Sequence, residues 1–205
     1  AFWMLMLQLF YSANLFIERL VDKQLFGVTL SSTVFWGSES IFIIFLGPLF
    51  ALSWQTLGEN HKNPSPINKS IMGIFCTGLG FALLALSTFF PNEQGLIHPL
   101  WVFSAYLLIT VGELFISPIG LSAVSILAPP SLIGLLMGTW FVATGFGGIF
   151  AGLIAKLASI PDTTTTTSGK LAIYQAAFFD YACIAFLIAI FLFFAQLAVK
   201  KIRPL

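Results

Sequence analysis

The chain of 205 residues is apolar and nearly uncharged: 58% of its residues are hydrophobic, 8% are charged and the formal net charge is +1. Soluble domains contain roughly 25% charged residues, so this composition, with a mean hydropathy of +0.97, indicates an integral membrane protein. The balanced charge excludes the strongly basic surface typical of nucleic-acid-binding proteins, and we expect no nucleic-acid partner.

Six apolar runs, each of about the length that crosses a bilayer, follow one another along the chain. They cover about residues 2–20, 33–57, 67–90, 99–128, 131–158 and 174–199. Polar connections separate them, including GENHKNPSP at 58–66 and a threonine-rich loop at 160–170. The sequence therefore predicts an all-α integral membrane protein with six transmembrane helices in a single domain, residues 1–205.

An even number of spans places both termini on the same side of the membrane. Lysines and arginines divide almost evenly between the two sides, so the positive-inside rule gives little preference for either orientation. The C-terminal cluster of Lys200, Lys201 and Arg203 favours one of them. We therefore expect both termini in the cytoplasm.

The first two spans contain polar residues inside apolar runs. In the first span, Gln8 shares a helical face with Ser12, and Asn14 lies to one side of that face. In the second span, Glu39 lies on the same side as Trp36. Each of these polar groups can either line a cavity or hydrogen-bond to a neighbouring helix, and both interpretations remain open.

Glycines mark possible sites of close helix approach. The third span contains Gly73, Gly78 and Gly80, and the fifth contains the small-xxx-small pair Gly134 and Gly138. Such pairs let two helix backbones come close together in a membrane.

The fourth span contains Glu113 near its middle. At about 100° per residue, a narrow stripe on this helix, here called the polar seam, is formed by Tyr106, Thr110, Glu113, Ser117 and Gly120. Ionisable groups at bilayer depth are energetically costly and usually mark an ion or substrate path. The seam therefore predicts a functional site, with a buried acid satisfied by a neighbouring helix as the alternative.

Glu39 and Glu113 are the candidate proton carriers. A low-dielectric site disfavours the charged form of a carboxyl group, whereas the ionised form attracts an ammonium group. Together these two states allow a proton to be exchanged for a cationic group of a substrate. Trp140 in the fifth span can either line a pocket or lie at the bilayer interface, and its depth in the span favours a pocket.

Enzyme signatures are missing from the sequence. His61 and His98 lie in loops without the HExxH spacing, and neither a GxSxG elbow nor a GxxxxGK[ST] loop occurs. Cys76 and Cys183 lie in apolar runs without metal-ligand spacing. We expect no enzymatic activity, no cofactor and no metal.

Several motifs together resemble one transporter family. GELFISPIGLSAVSILAP at 112–129 is similar to the GELxxSxxGLSxxxxLxP pattern of bacterial-type proton-coupled oligopeptide transporters. FWMLMLQ at 2–8 and GLLMGTWF at 134–141 resemble the seventh and eleventh helices of that family. The resemblance covers the chain in order as helices seven to twelve. It implies the C-terminal half of a major facilitator fold, a 3+3 helix repeat in the cell (inner) membrane.

The resemblance also implies roles for single residues. The glutamate that matches Glu113 meets the amino terminus of the peptide, and the tryptophan that matches Trp140 lines a side-chain pocket. The groups that receive the peptide carboxylate belong to the N-terminal half, which is outside this chain. The implied partners are a small peptide, protons, the lipid bilayer, and either the missing half or a second copy of the chain.

Two positions depart from the family pattern. The acid that commonly precedes the glutamine matching Gln8 is here Leu7, and the family's peptide-binding asparagine in the eighth helix is here Glu39. One acid is lost and another is gained nearby. These changes predict shifted gating or altered substrate choice.

The preferred hypothesis is half of a proton-coupled secondary transporter for di- and tripeptides or related peptide-like substrates. Its candidate binding residues are Glu113, Asn14, Glu39, Ser117, Trp140, Tyr106 and Gln8. One alternative is a six-helix membrane scaffold or assembly module that does not transport. A channel is disfavoured because the chain has a single acidic seam and no filter-like run.

Overall fold

The computed structural model describes residues 1–202, apart from the side chains of residues 123, 127 and 200–202, and it is mainly helical. The helices are α1 (Phe2–Met6), α2 (Ser12–Leu20), α3 (Ser32–Glu59), α4 (Pro66–Ser87), α5 (Pro99–Leu127), α6 (Ile133–Ala155) and α7 (Thr167–Ile202). Short 3-10 turns occupy Leu7–Leu9, Pro130–Leu132 and Lys156–Ala158, and β1 (Gln24–Leu25) pairs with β2 (Val28–Thr29) in a small antiparallel hairpin. The predicted all-α class is confirmed.

Five helical segments are long and apolar enough to cross a membrane, judged by length and composition. They are Ser32–Glu59, Pro66–Ser87, Pro99–Ile126, Pro130–Ala158 and Thr167–Val199. The last of these begins inside the predicted 160–170 loop, so the helix starts earlier than the sequence indicates.

The first predicted span, 2–20, is not a continuous helix. Instead α1 ends at Met6 and α2 begins at Ser12. At the break, the Leu7 carbonyl accepts the N–H groups of Phe10 at 3.1 Å and Tyr11 at 3.2 Å. The break is therefore compatible with an apolar environment, where backbone polar groups need protein partners.

Helix α4 packs along both α5 and α7. A Cβ placed on Gly73 would lie 2.6 Å from the Gly112 carbonyl, and one placed on Gly78 would lie 2.8 Å from the Phe186 ring. Both distances are too short for a real side chain. These two glycines therefore set how closely α4 approaches its neighbours.

An aromatic cluster at the α2, α4 and α7 contact forms much of the buried core. The Phe16 ring meets the Phe178 ring edge-on at 5.1 Å, and Phe81 meets Tyr181 edge-on at 5.4 Å. All four side chains are fully buried. Edge-to-face pairs of this kind add packing specificity to the burial of apolar area.

Candidate functional site

Helices α3 and α5 bring the two predicted acidic residues together. The carboxyl groups of Glu39 and Glu113, here called the carboxyl pair, lie within hydrogen-bonding reach of each other. Glu39 is 8% exposed. Glu113 is half-buried, and its Oε2 atom is buried without a hydrogen-bond partner among the residues that the structure describes.

The chemistry of the carboxyl pair follows from its geometry. An ionised carboxylate only accepts hydrogen bonds, so a hydrogen bond between two carboxyl groups requires a proton on one of them. Two close negative charges in a low-dielectric site also repel each other. The arrangement therefore favours one shared proton on the pair and leaves one buried oxygen available to accept a further donor.

Aromatic contacts on both sides of the pair fix the register of α3 against α5. Phe35 stacks on Phe103 with ring centroids 4.9 Å apart. Further along the two helices, Phe50 and Trp54 meet the Phe115 ring edge-on at 5.2 Å and 5.4 Å. Because rigid ring contacts flank the carboxyl pair, its spacing is set by the helices themselves.

The polar seam divides into a packed part and a part that is open to the surface. Tyr106 and Thr110 are fully buried: the Tyr106 hydroxyl donates to the Leu9 carbonyl at 3.1 Å, and Thr110 Oγ1 donates to the Tyr106 carbonyl at 2.8 Å. Glu113 and Ser117 remain half-buried.

Gln8 is part of a second buried polar group, centred on the break in the first helix. Its Nε2 donates to the Ala151 carbonyl at 2.8 Å, and Ser12 Oγ donates to its Oε1 at 2.7 Å. The Tyr181 hydroxyl lies 2.8 Å from Ser12 Oγ and 3.0 Å from the Ile154 carbonyl. In this conformation Gln8 links the first helix to α6, and Ser12 links it to α7.

The sequence indicates Gln8 and Ser12 as polar residues of the first span but does not indicate Tyr181, the partner of Ser12. The available signal was weak, because Tyr181 lies in the long apolar run of α7 beside Asp180, which is exposed. A fully buried tyrosine in such a run usually finds a hydrogen-bond partner for its hydroxyl. That rule predicts a partner without naming it.

Trp140 on α6 packs against Gly120, the last residue of the polar seam. Its ring packs so closely on Gly120 that a Cβ there would overlap it. It lines a groove of about 560 Å³ between α4, α5 and α6, and this groove contains no other predicted binding residue. Asn14, on α2, is half-buried. Within the described part of the chain, no three His, Cys, Asp or Glu side chains come together as metal ligands would.

Comparison with known proteins identifies the family. The family model described as "PTR2: POT family" matches residues 1–171. The chain belongs to the POT family. This confirms at family level the resemblance that the GEL…S…GLS motif indicated.

POT-family relatives extend well beyond the length of this chain. The peptide transporter YePEPT of Yersinia enterocolitica is 37% identical over 155 residues, which are 75% of this chain and 30% of that protein. Dipeptide and tripeptide permease A of Chromobacterium violaceum is 33% identical over 189 residues, 92% of this chain and 38% of the relative. The chain thus spans about a third of the length of the curated relatives it matches. These relatives are named as transporters, not as enzymes.

Solved structures of POT transporters share the fold. A crystal structure of a mutant of peptide transporter POT in complex with sulfate aligns with a TM-score of 0.82 and 24% identity, over 98% of this chain and 38% of that one. The same mutant in complex with alafosfalin aligns with a TM-score of 0.70 and 28% identity, over 93% and 38%. The helices of this chain therefore have the arrangement of part of a POT transporter.

Proposed function

We propose that this chain is the C-terminal six-helix half of a proton-coupled transporter for di- and tripeptides or related peptide-like substrates, with cytoplasmic termini. Three observations support the proposal: the order of the motifs from FWMLMLQ to GLLMGTWF, the names of the relatives, and the 38% of a permease that the chain covers. In this proposal the chain supplies the part of the site that binds the peptide amino terminus.

The proposed mechanism depends on the carboxyl pair. In the empty site, Glu39 and Glu113 share one proton. The ammonium group of a peptide donates to the free Glu113 Oε2, and its positive charge replaces the shared proton as the partner of the two carboxylates. The proton leaves, so the peptide ammonium group and the shared proton occupy the same place in turn.

The other predicted binding residues divide by their surroundings. Ser117 and Asn14 are half-buried, and we propose that they contact the peptide. Gln8 and Tyr106 donate hydrogen bonds to backbone carbonyls in this conformation, so we propose that they position the first helix and α5. The role of Trp140 in a side-chain pocket stays a prediction.

Ligand-dependent stability of the purified chain tests this proposal. Alanyl-alanine should raise the melting temperature, whereas N-acetyl-alanyl-alanine, which lacks the ammonium group, should not. Glu113→Gln should remove the effect. A matched control is Glu59→Gln, because Glu59 is an exposed carboxylate on α3 that bonds to Gln55, and it should respond like the unaltered chain.

The same measurement separates the scaffold hypothesis from transport. A scaffold predicts that Glu113→Gln changes the melting temperature equally with and without the peptide. If the acetylated and free peptides stabilise the chain equally, the assignment of Glu113 to the peptide amino terminus is wrong.

A further inference from the structure

Two half-exposed aromatic rings lie beside the carboxyl pair. The Phe10 ring, at the break in the first helix, meets the Trp36 ring of α3 edge-on, with ring centroids 6.3 Å apart. Phe10 is 42% exposed and Trp36 is 41% exposed. These two rings, here called the ring pair, contact each other and still leave a large apolar surface to which a further group can pack.

The ring pair is next to Glu39 on α3. Trp36 precedes Glu39 by three residues, so the two are about 4.5 Å apart along the helix axis and lie on the same side of the helix. Phe35 is fully buried and faces α5, where it stacks on Phe103. At about 100° per residue, Glu39 projects between Phe35, which faces α5, and Trp36, which faces the first helix.

The other ring is fixed by the same elements that position the carboxyl pair. The Leu9 carbonyl, one residue before Phe10, accepts the Tyr106 hydroxyl of α5 at 3.1 Å. Tyr106 precedes Glu113 by seven residues, so both lie on one face of α5, about two turns apart. The break in the first helix is therefore attached to α5 at Leu9 and to α3 at Phe10, beside both acidic residues.

The chemistry of a bound peptide places a side chain at the ring pair. In the proposed function the peptide ammonium donates to Glu113 Oε2, next to Glu39. The Cβ atom of the first peptide residue is two bonds from the ammonium nitrogen, so its side chain must pack on a surface adjoining the carboxyl pair. The exposed rings of Phe10 and Trp36 provide an apolar surface there, and burial against them favours a large apolar or aromatic side chain.

We propose that the ring pair binds the side chain of the first residue of the peptide and selects peptides that begin with a large apolar or aromatic residue. This inference rests on the proposed function, because it assumes that the peptide ammonium lies at Glu113. The ring pair is formed by the first helix and α3, whereas Trp140 on α6 lines a groove between α4, α5 and α6. The two surfaces would therefore receive different parts of a substrate.

Isothermal titration calorimetry of the purified chain in detergent tests this selectivity. Phenylalanyl-alanine should bind about tenfold more tightly than alanyl-alanine, since the benzyl group buries more apolar area than a methyl group. Trp36→Ala should lower this ratio of Kd values to about twofold, and Trp36→Phe, which keeps a ring, should restore most of it. Phe45→Ala is the matched control, because Phe45 is a 70% exposed aromatic residue on the same helix, and it should keep the full ratio.

Alanyl-phenylalanine distinguishes the first residue of the peptide from the second. Trp36→Ala should leave its Kd relative to that of alanyl-alanine unchanged. If the unaltered chain binds phenylalanyl-alanine and alanyl-alanine equally well, or if Trp36→Ala reduces both aromatic preferences equally, the ring pair is not the site of the first side chain, and the assignment of Glu113 still stands. Failure of all three peptides to bind would overturn the proposed function and this inference with it.

Discussion

At the residue scale, the carboxyl pair makes the sharpest prediction about proton coupling. In Glu39→Gln the new amide N–H can donate to an ionised Glu113, so the pair no longer needs a proton to form its hydrogen bond. The protons released on binding alanyl-alanine, measured in weakly buffered solution, should fall from about one per peptide to nearly none.

Glu59→Gln is again the control and should release as many protons as the unaltered chain. Unchanged proton release and unchanged peptide preference in Glu39→Gln would rule out a role for Glu39 in either. That result would leave Glu39 as a structural partner of Glu113.

A second residue-scale prediction concerns the hydroxyl group of Tyr181. Tyr181→Phe removes the hydroxyl that lies between Ser12 Oγ and the Ile154 carbonyl. The free energy of unfolding in detergent should fall by about 0.5–1.5 kcal/mol, the size of one buried hydrogen bond between membrane helices. Tyr11→Phe, at a 41% exposed tyrosine, should change it by less than about 0.5 kcal/mol.

A double-mutant cycle with Ser12→Ala separates the contact from general packing. If the two hydroxyls interact, the effects of Ser12→Ala and Tyr181→Phe should be non-additive. Additive effects would show that the two hydroxyls stabilise the protein independently.

Single residues of the site could be predicted from the sequence, but their pairing could not. Glu113 and Glu39 each stand out because an acid inside an apolar run is rare and costly. Nothing in either run specifies how α3 is rotated or shifted against α5. That register depends on ring contacts such as Phe35 with Phe103, and these rings are indistinguishable in the sequence from residues that face lipid.

At the element scale, the close contact between α4 and α5 depends on glycines on both helices: Gly73 and Gly80 on α4, and Gly112 on α5. A Cβ on Gly112 would lie 2.5 Å from the Gly73 carbonyl and 2.6 Å from Thr77 Oγ1. Gly112→Ala should therefore push the helices apart and lower the free energy of unfolding by about 1–3 kcal/mol. Thermal unfolding in detergent would measure the change.

Gly138→Ala on α6 is the matched control. A Cβ at Gly138 would meet no atom within 4 Å in the described part of the chain. Alanine also has the higher helix propensity, by about 1 kcal/mol, so this variant should be neutral or slightly stabilising. Similar destabilisation by Gly112→Ala and Gly138→Ala would contradict the close α4–α5 contact as its cause.

Sequence patterns predict some of the helix contacts and breaks in this fold and miss others. Glycines in both the third and the fifth predicted spans indicated close helix approach, but in the described structure Gly73 has such a contact and Gly138 has none. The break in the first helix was not predictable from its own residues. It involves a hydrogen bond from Tyr106 to Leu9, across 97 residues, which no local pattern encodes.

At the scale of the whole molecule, the distribution of charge indicates an incomplete binding site. A peptide in its zwitterionic form needs a cation for its carboxylate as well as an acid for its ammonium group. Among the described side chains, each lysine and arginine lies in a connection or close to a helix end, as Lys69, Lys156 and Lys170 do. None of these described side chains is placed in the middle of a long helix beside Glu113, and we propose that the partner of the peptide carboxylate lies in another part of the transporter.

The isolated chain should therefore fail to transport. In proteoliposomes with an inward proton gradient, it should show no saturable uptake of labelled alanyl-alanine, while a full-length permease such as the Chromobacterium violaceum relative serves as the positive control. The isolated chain should still bind alanyl-alanine although it does not transport it, since Glu113 and Glu39 are both within the chain. Saturable uptake driven by the gradient would mean that one copy, or two copies paired together, provides the missing cation and completes the site.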